Sequence, residues 1–218
     1  MINYLVRKIS YEDTKPFILN IHYAKRMPSI TYSFGLFYKN ELVGVVCYGS
    51  PPSQALCKGI AGVNNRKIVL ELNRLVLKYN KKNEASYLVG NSLKLLPKPT
   101  ILVSYADTSQ NHNGYIYQAT NFIYTGLSDK RTEWRMKNTN KHSKTICEQY
   151  TLKERKNNPD KFYLIDRPRK HRYIYIIANK KDKKKLLKEL KYPIFNYPKG
   201  NNKNYKTNNN INTQFTLL

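Results

Sequence analysis

The sequence predicts an α/β fold: a mixed central β-sheet flanked by helices, with a basic C-terminal extension. Three observations predict it. Branched and aromatic runs alternate with helical periodicities between residues 33 and 128. Apolar residues make up 40% of the chain and include 19 Tyr, enough for a core. Basic residues crowd the last third. At about 150 residues per domain, 218 residues allow one domain with a trailing extension and exclude a large multidomain enzyme.

Taken in order, NIHYAKRM near the start reads as an opening helix carrying His22 and Tyr23. Residues 33–48, SFGLFYKNELVGVVCY, form a hairpin around Lys39-Asn40-Glu41. The next stretch, GSPPSQALCKGIAGVNN, holds Pro51-Pro52 and three glycines, which predicts an ordered loop without a long regular element. Residues 67–78, KIVLELNRLVLK, are a strand. A polar loop leads into SYLVGNSLKLLP, a helix ended by Pro97 and Pro99. TILVSYAD is a buried strand, TSQNHN a polar turn, YIYQATNF helix-like, and IYTGL another strand. Strands 67–78 and 100–106 should be neighbours across a helical crossover. HRYIYII is a further β-run. KKDKKKLLKELK at 180–191 is a lysine-rich surface helix with a narrow stripe of Leu186, Leu187 and Leu190, and the Asn-rich end is low complexity. The expected organisation is a domain over 1–178, a Lys-rich helix and extension over 179–199, and a disordered tail over 200–218.

Lys and Arg number 39 against 14 Asp and Glu, a formal charge of +25 that invites a polyanion, nucleic acid first. Three Cys without C-x-x-C spacing argue against a disulfide framework or zinc ribbon and fit a reducing compartment. The chain lacks an apolar run of about 18 residues and a signal-peptide pattern, so the expectation is a soluble cytoplasmic protein with no membrane partner.

Four His, at 22, 112, 142 and 171, show no close metal spacing. His22 reads either as a structural hydrogen-bond bridge or as a site residue. Arg74 lies inside the apolar run LELNRLVL, where a guanidinium must be paired or face a cleft; Glu71 and Asp107 are candidate partners. Asp107 ends a buried strand, which suits a site residue and suits a turn cap equally. Tyr117 lies in a tyrosine stripe whose plain reading is core packing.

From strand 67–78 to Gly126 the layout resembles the GNAT acyltransferases. That resemblance implies that Tyr117 protonates a leaving thiolate, that acetyl-CoA or a related acyl donor is the cofactor, and that loop 79–85 cradles its pyrophosphate. The loop, YNKKNEA, lacks the expected glycines; Lys81 and Lys82 are its phosphate-facing candidates.

HYAKRMPS, GVVCYGSPPSQAL, LELNRLVL, SYADTSQNHNGYIYQATNFIYTG and PRKHRYIY resemble, in order and spacing, the Mom family of phage DNA-modification proteins. The resemblance implies transfer of a carbamoylmethyl group to N6 of adenine in DNA, with protection from restriction. It places His22, Tyr23, Arg74, Asp107 and Tyr117 in the catalytic site, with Ser104 and Gly114 as framework, and it raises iron as a cofactor. The N6 amine is a poor nucleophile, so it needs an acceptor, a role Asp107 fits. A duplex adenine would be flipped out against Tyr23, Tyr105 or Tyr117. Phosphates would meet Arg131, Arg135, Arg167, Arg169, Lys170 and Arg172. A conventional GNAT N-acetyltransferase and a non-enzymatic DNA-binding protein stay open as alternatives, and so does the oligomeric state, a homodimer included.

Overall fold

The computed structural model describes residues 4–141 and 143–200, apart from the side chain of Gln110. His142 and the Asn-rich segment from 201 onward lie outside the described residues. In chain order the elements are β1 (Tyr4–Lys8), α1 (Tyr11–Pro16), β2 (Tyr32–Tyr38), β3 (Glu41–Gly49), α2 (Gln54–Asn65), β4 (Val69–Leu77), α3 (Glu84–Leu95), β5 (Thr100–Asp107), α4 (Tyr115–Ala119), β6 (Ile123–Leu127), β7 (Arg131–Met136), α5 (Ser143–Gln149), α6 (Leu152–Asn157), β8 (Phe162–Arg167), β9 (Lys170–Ile177) and α7 (Lys180–Glu189). The chain divides into two compact units, one of residues up to Gly126 together with those from His171, the other of Leu127–Lys170.

The first unit is built on a seven-stranded sheet in the order β1-β2-β3-β4-β5-β9-β6. Strands β1 to β4 pair antiparallel, and β5 joins β4 in parallel through the α3 crossover, so the sheet is mixed, as the alternating pattern predicts. No described helix is long and apolar enough to cross a membrane.

Strand alternation divides the core between the two faces. Leu102 packs on one side with Leu88, Val89 and Leu93 of α3 and Tyr117 of α4. Its neighbours Ile101 and Val103 pack on the other side with Cys57, Ile60 and Ala61 of α2 and Leu186 of α7. Farther along that second face, Val45, Cys47 and Val76 meet Phe17 and Ile18.

Two irregularities of β4 position the site. Its pairing with β5 covers Val69, Leu70 and Glu71 only, although β4 runs on to Leu77 and β5 to Asp107. Its register with β3 jumps from Cys47↔Arg74 to Tyr48↔Leu72, which leaves Asn73 as an extra, bulged residue. Alternation from Val69 puts Asn73 on the α2 face, and alternation from Val76 puts Arg74 on the same face. The bulge therefore aims two consecutive side chains one way.

The structure corrects two sequence expectations. The stretch after the hairpin is helical over Gln54–Asn65, capped by Ser53 and broken into two pieces at Gly62. Pro51 and Pro52 precede that cap, where they cost no helical hydrogen bond, and of the glycines only Gly62, non-helical at φ +78°, interrupts the helical run. NIHYAKRM does not form the expected opening helix: α1 and a π-helical turn, Phe17–Ile21, come before it, only Asn20 and Ile21 share in that turn, and from His22 the backbone is extended or irregular. The 179–199 segment packs on the first unit, with Leu186 buried, the Lys191 N–H on the Ile60 carbonyl and the Tyr197 hydroxyl on the Phe122 carbonyl.

The second unit is a two-stranded antiparallel ribbon of β7 and β8, with α5 and α6 between its strands. Thr151 and Glu154 form a capping box at α6. Arg155 stacks over Trp134 and donates to Cys147 Sγ, and Tyr150 meets Phe162 edge-on.

Candidate active site

Between the π-helical turn and β2, residues 22–31 cross the second face of the sheet as irregular backbone. Such a chain needs partners for its main-chain groups. Gly49 makes the crossing possible, since a Cβ there would sit 1.8 Å from the Ser29 carbonyl oxygen. The segment is tied down by the two side chains that the bulge aims at it. Asn73 Nδ2 donates to the Ser29 carbonyl (2.7 Å), and Arg74 Nη2 donates to the Arg26 carbonyl (3.0 Å). Arg74 Nη1 also donates to the Asn73 carbonyl (2.7 Å).

Arg74 is 7% exposed, and its guanidinium is held by main-chain carbonyls in addition to the field of Glu71. The sequence expectation of a carboxylate partner is met only through that field. Burial lowers the Arg74 pKa from its ordinary value, but an arginine starts high enough to stay charged.

His22 is fully buried. Its Nδ1 accepts from the Ala24 N–H at 3.1 Å, and its ring stacks on Tyr23. Burial, helped by the Arg74 charge, pushes its pKa down to about 3. The imidazole is therefore neutral at physiological pH, and with Nδ1 accepting, the proton resides on Nε2. Tyr23 remains 45% exposed, yet its phenol is crowded enough that burial raises its pKa, with Asp107 adding to the rise and Arg74 opposing it. Arg74 thus acts on both His22 and Tyr23, and Asp107 acts on Tyr23, which links residues from three stretches of the chain.

Asp107 caps the turn that follows β5. Its Oδ1 accepts from the Ser109 N–H (2.9 Å) and the Ser109 hydroxyl (2.7 Å). The cap coexists with the field that Asp107 exerts on Tyr23.

Tyr117 lies elsewhere. It is fully buried against Phe122 and Tyr173, and its hydroxyl meets Ser104 Oγ at 2.5 Å. Ser104 in turn donates to the Leu72 carbonyl, where β4 and β5 have ceased to pair. Burial raises the phenol's pKa. This corrects the expectation of a phenol facing a thiolate: Tyr117 is a core residue that closes the seam between two strands. Gly114 supports α4 at φ +74°, where a Cβ would strike the Tyr173 ring.

In loop 79–83 the Lys81 N–H donates to Glu84 Oε2, and buried Glu84 also takes the Tyr4 hydroxyl. The amino end of α3 thus already faces a carboxylate of this chain. Lys81 spreads its ammonium over the rings of Tyr38 and Tyr79. The loop offers a pyrophosphate the charge of Lys81 and Lys82, but not the Lys81 N–H.

Among the expected DNA contacts, Arg131 and Arg167 are exposed and directly opposite each other across the β7–β8 ribbon. Arg135 pairs with Glu133, and Arg169 Nε donates to the Ser128 carbonyl while the Lys170 N–H reaches the Ser128 hydroxyl. Arg172 is not a surface contact. It is 6% exposed, bonded to Thr125 through Nε and Nη2, and stacked 3.3 Å from the Tyr192 ring centroid. Its place inside β9 explains the difference, since a basic run does not reveal which residue faces the core.

Among the described residues no three His, Cys, Asp or Glu gather as a metal-holding group, so the residues do not fit the iron that the family resemblance raises. Asn73 is the site residue that sequence reasoning passes over. The signal is present as a second polar residue beside Arg74 in an apolar strand.

A family model described as the Mom protein family matches residues 3–199. No curated protein matches the chain. Solved structures similar to it include a GNAT-family acetyltransferase from Bacillus cereus, 13% identical, with a TM-score of 0.44 over 81% of this chain and 99% of that one. A Bacillus subtilis acetyltransferase in complex with CoA is 12% identical, with a TM-score of 0.44 over 82% and 100%. A probable acetyltransferase from Staphylococcus epidermidis is 11% identical, with a TM-score of 0.46 over 81% and 100%.

Proposed function

Since the chain belongs to the Mom protein family, we propose that it is a DNA-modifying transferase that places a carbamoylmethyl-type group on N6 of adenine and so shields the DNA from restriction. The observation that carries this reading is the coupling of buried Arg74 to His22 and Tyr23, and of Tyr23 to Asp107. Tyr23, Asp107 and Arg74 each have a role in that chemistry. A flipped adenine can stack on the open face of Tyr23, whose other neighbour is the His22 ring. Asp107 is the acceptor for the N6–H. As the N6–C bond forms, that proton passes to the carboxylate, and the donor's leaving group departs with its electron pair. Buried Arg74 supplies fixed positive charge where negative charge develops on the donor, in surroundings that screen it weakly.

The donor supplies an activated carbon. A coenzyme A thioester would instead acylate N6 through its carbonyl carbon, so the carbamoylmethyl group needs a donor whose leaving group sits on the methylene carbon. Lys81 and Lys82 are the residues that would meet the pyrophosphate of a coenzyme A donor. Duplex binding draws on the +25 charge. The Arg131↔Arg167 pair supports it, because like charges directly opposite each other destabilise a ribbon unless an anion lies over them.

Mass spectrometry of nucleosides from DNA of cells making the protein tests the reading. A heavier deoxyadenosine is expected beside unchanged deoxycytidine. Unmodified nucleosides from cells that contain folded protein contradict it.

A further inference from the structure

Three buried polar atoms on the segment-covered face lack hydrogen-bond partners: His22 Nε2, Arg74 Nε and Asn73 Oδ1. Their residues are 0%, 7% and 7% exposed. An orphaned polar atom at such depth is costly and calls for a ligand or a structural reason. The hydrogen-bonding sense of each is fixed. His22 Nδ1 accepts from Ala24, so Nε2 carries the proton and donates. Arg74 Nε–H can only donate. Asn73 Nδ2 is engaged with the Ser29 carbonyl, and flipping the amide would press two oxygens together, so Oδ1 is the acceptor on offer. All three residues are anchored to the same 22–29 segment, and the bulge turns Asn73 and Arg74 toward it together.

We propose that Asn73, His22 and Arg74 form a recognition site for a primary carboxamide, with the carbonyl oxygen accepting from His22 Nε2–H and Arg74 Nε–H and the amide nitrogen donating to Asn73 Oδ1. The pattern of two donors and one acceptor selects this group. A carbonyl oxygen has two lone pairs for the two N–H groups, whereas the ring nitrogen beside the adenine amine has one. A carboxylate or phosphate would place negative charge against Asn73 Oδ1 and leave it without a donor. Asn73 is thus a specificity-determining residue that reads the terminal amide of the transferred group. This deepens the DNA-modification reading and rests on it for the identity of that group.

The test is NMR of the ¹⁵N-labelled full chain, following the His22 Nε2–H and Arg74 Nε–H resonances during titration with acetamide, acetate and adenosine. Acetamide should shift both, with a Kd of roughly millimolar order for so small a probe. Acetate should bind at least about tenfold more weakly, the loss expected when a hydrogen bond becomes a repulsion. Asn73→Leu, which keeps the bulk and removes the acceptor, should weaken acetamide about tenfold and tighten acetate by relieving its repulsion from Oδ1. The wild-type probe series stands without that variant should it fold poorly. Equal response to acetate and acetamide, response to adenosine alone, or no response to any probe overturns the proposal. Nucleoside mass spectrometry separates it from the functional reading. Modified adenine without acetamide binding sinks the carboxamide site alone, and acetamide binding without modified adenine sinks the adenine chemistry alone.

Discussion

The Arg74 guanidinium acts on the buried His22 ring strongly enough to join burial in holding its pKa down to about 3. Arg74 keeps its own charge because an arginine starts high enough to stay protonated, and it bonds to the Arg26 and Asn73 carbonyls, so the neighbouring base is the group that stays neutral. The pair presents N–H donors, one neutral and one charged, on the same side of the sheet.

His22 should therefore link stability to acid. The unfolded chain binds a proton near the ordinary pKa of about 6.5, and the folded chain does so only near 3. Between those values the unfolded state holds more protons, so stability falls as pH drops from about 6.5 toward 3. Denaturant titrations at pH 7, 5 and 4 should show a smaller acid loss for His22→Gln than for the wild type. An unchanged difference between pH values would refute the assignment. The modification rate should show no His22 inflection between pH 6 and 8.

Arg74→Lys keeps a charge but cannot bridge two carbonyls and retain an Nε–H. The variant should stay folded, with a lower Tm, and lose about a hundredfold or more in modification rate, as removal of a fixed charge stabiliser does. Near-wild-type turnover would show that charge alone suffices there.

At Asp107 the cap and the chemistry can be separated. Asn offers an Oδ1 to Ser109 as Asp does, so Asp107→Asn should preserve stability while abolishing proton acceptance from N6. Asp107→Ala should lose activity and about 1 kcal/mol of stability. Full activity in the Asn variant would reduce Asp107 to a cap.

Arg131→Glu with Arg167→Glu should weaken DNA binding and flatten its salt dependence, since each phosphate left without its counter-charge reduces the log–log slope by about 0.9. Arg172→Ala should instead lower Tm, by removing buried bonds to Thr125 and the Tyr192 stack, at a cost of about 3 kcal/mol. Filter binding across a salt series, run beside thermal unfolding, distinguishes the two effects. Weakened DNA binding by folded Arg172→Ala would place that residue back at the interface.

Most of the sheet is legible in the sequence because its strands carry branched and aromatic runs: 67–78 and TILVSYAD fall on β4 and β5 almost to the residue, whereas edge strand β1, five residues ending in Arg7-Lys8, carries no such signal. Helix α2 is not, since prolines before a cap and glycines within a helix read alike as breaks until the cap at Ser53 is seen. The ribbon of β7 and β8 hides inside a basic stretch whose apolar alternation is weak. At the site, Arg74 announces itself as a charge in an apolar strand, and His22 and Asp107 follow from motif order. Asn73 does not, because its importance comes from a bulge, and a register shift between β3 and β4 leaves no periodicity in one strand's sequence. Tyr117 and Arg172 mislead for a related reason: residue type suggests chemistry, and burial decides otherwise.

The most direct test of the account is the nucleoside mass spectrum of DNA from cells making the wild-type chain, run beside that from cells making Asp107→Asn at equal soluble level. The account predicts a carbamoylmethyl-bearing deoxyadenosine in the first and its loss in the second. Unmodified deoxyadenosine in both, or the same modified base in both, would contradict it.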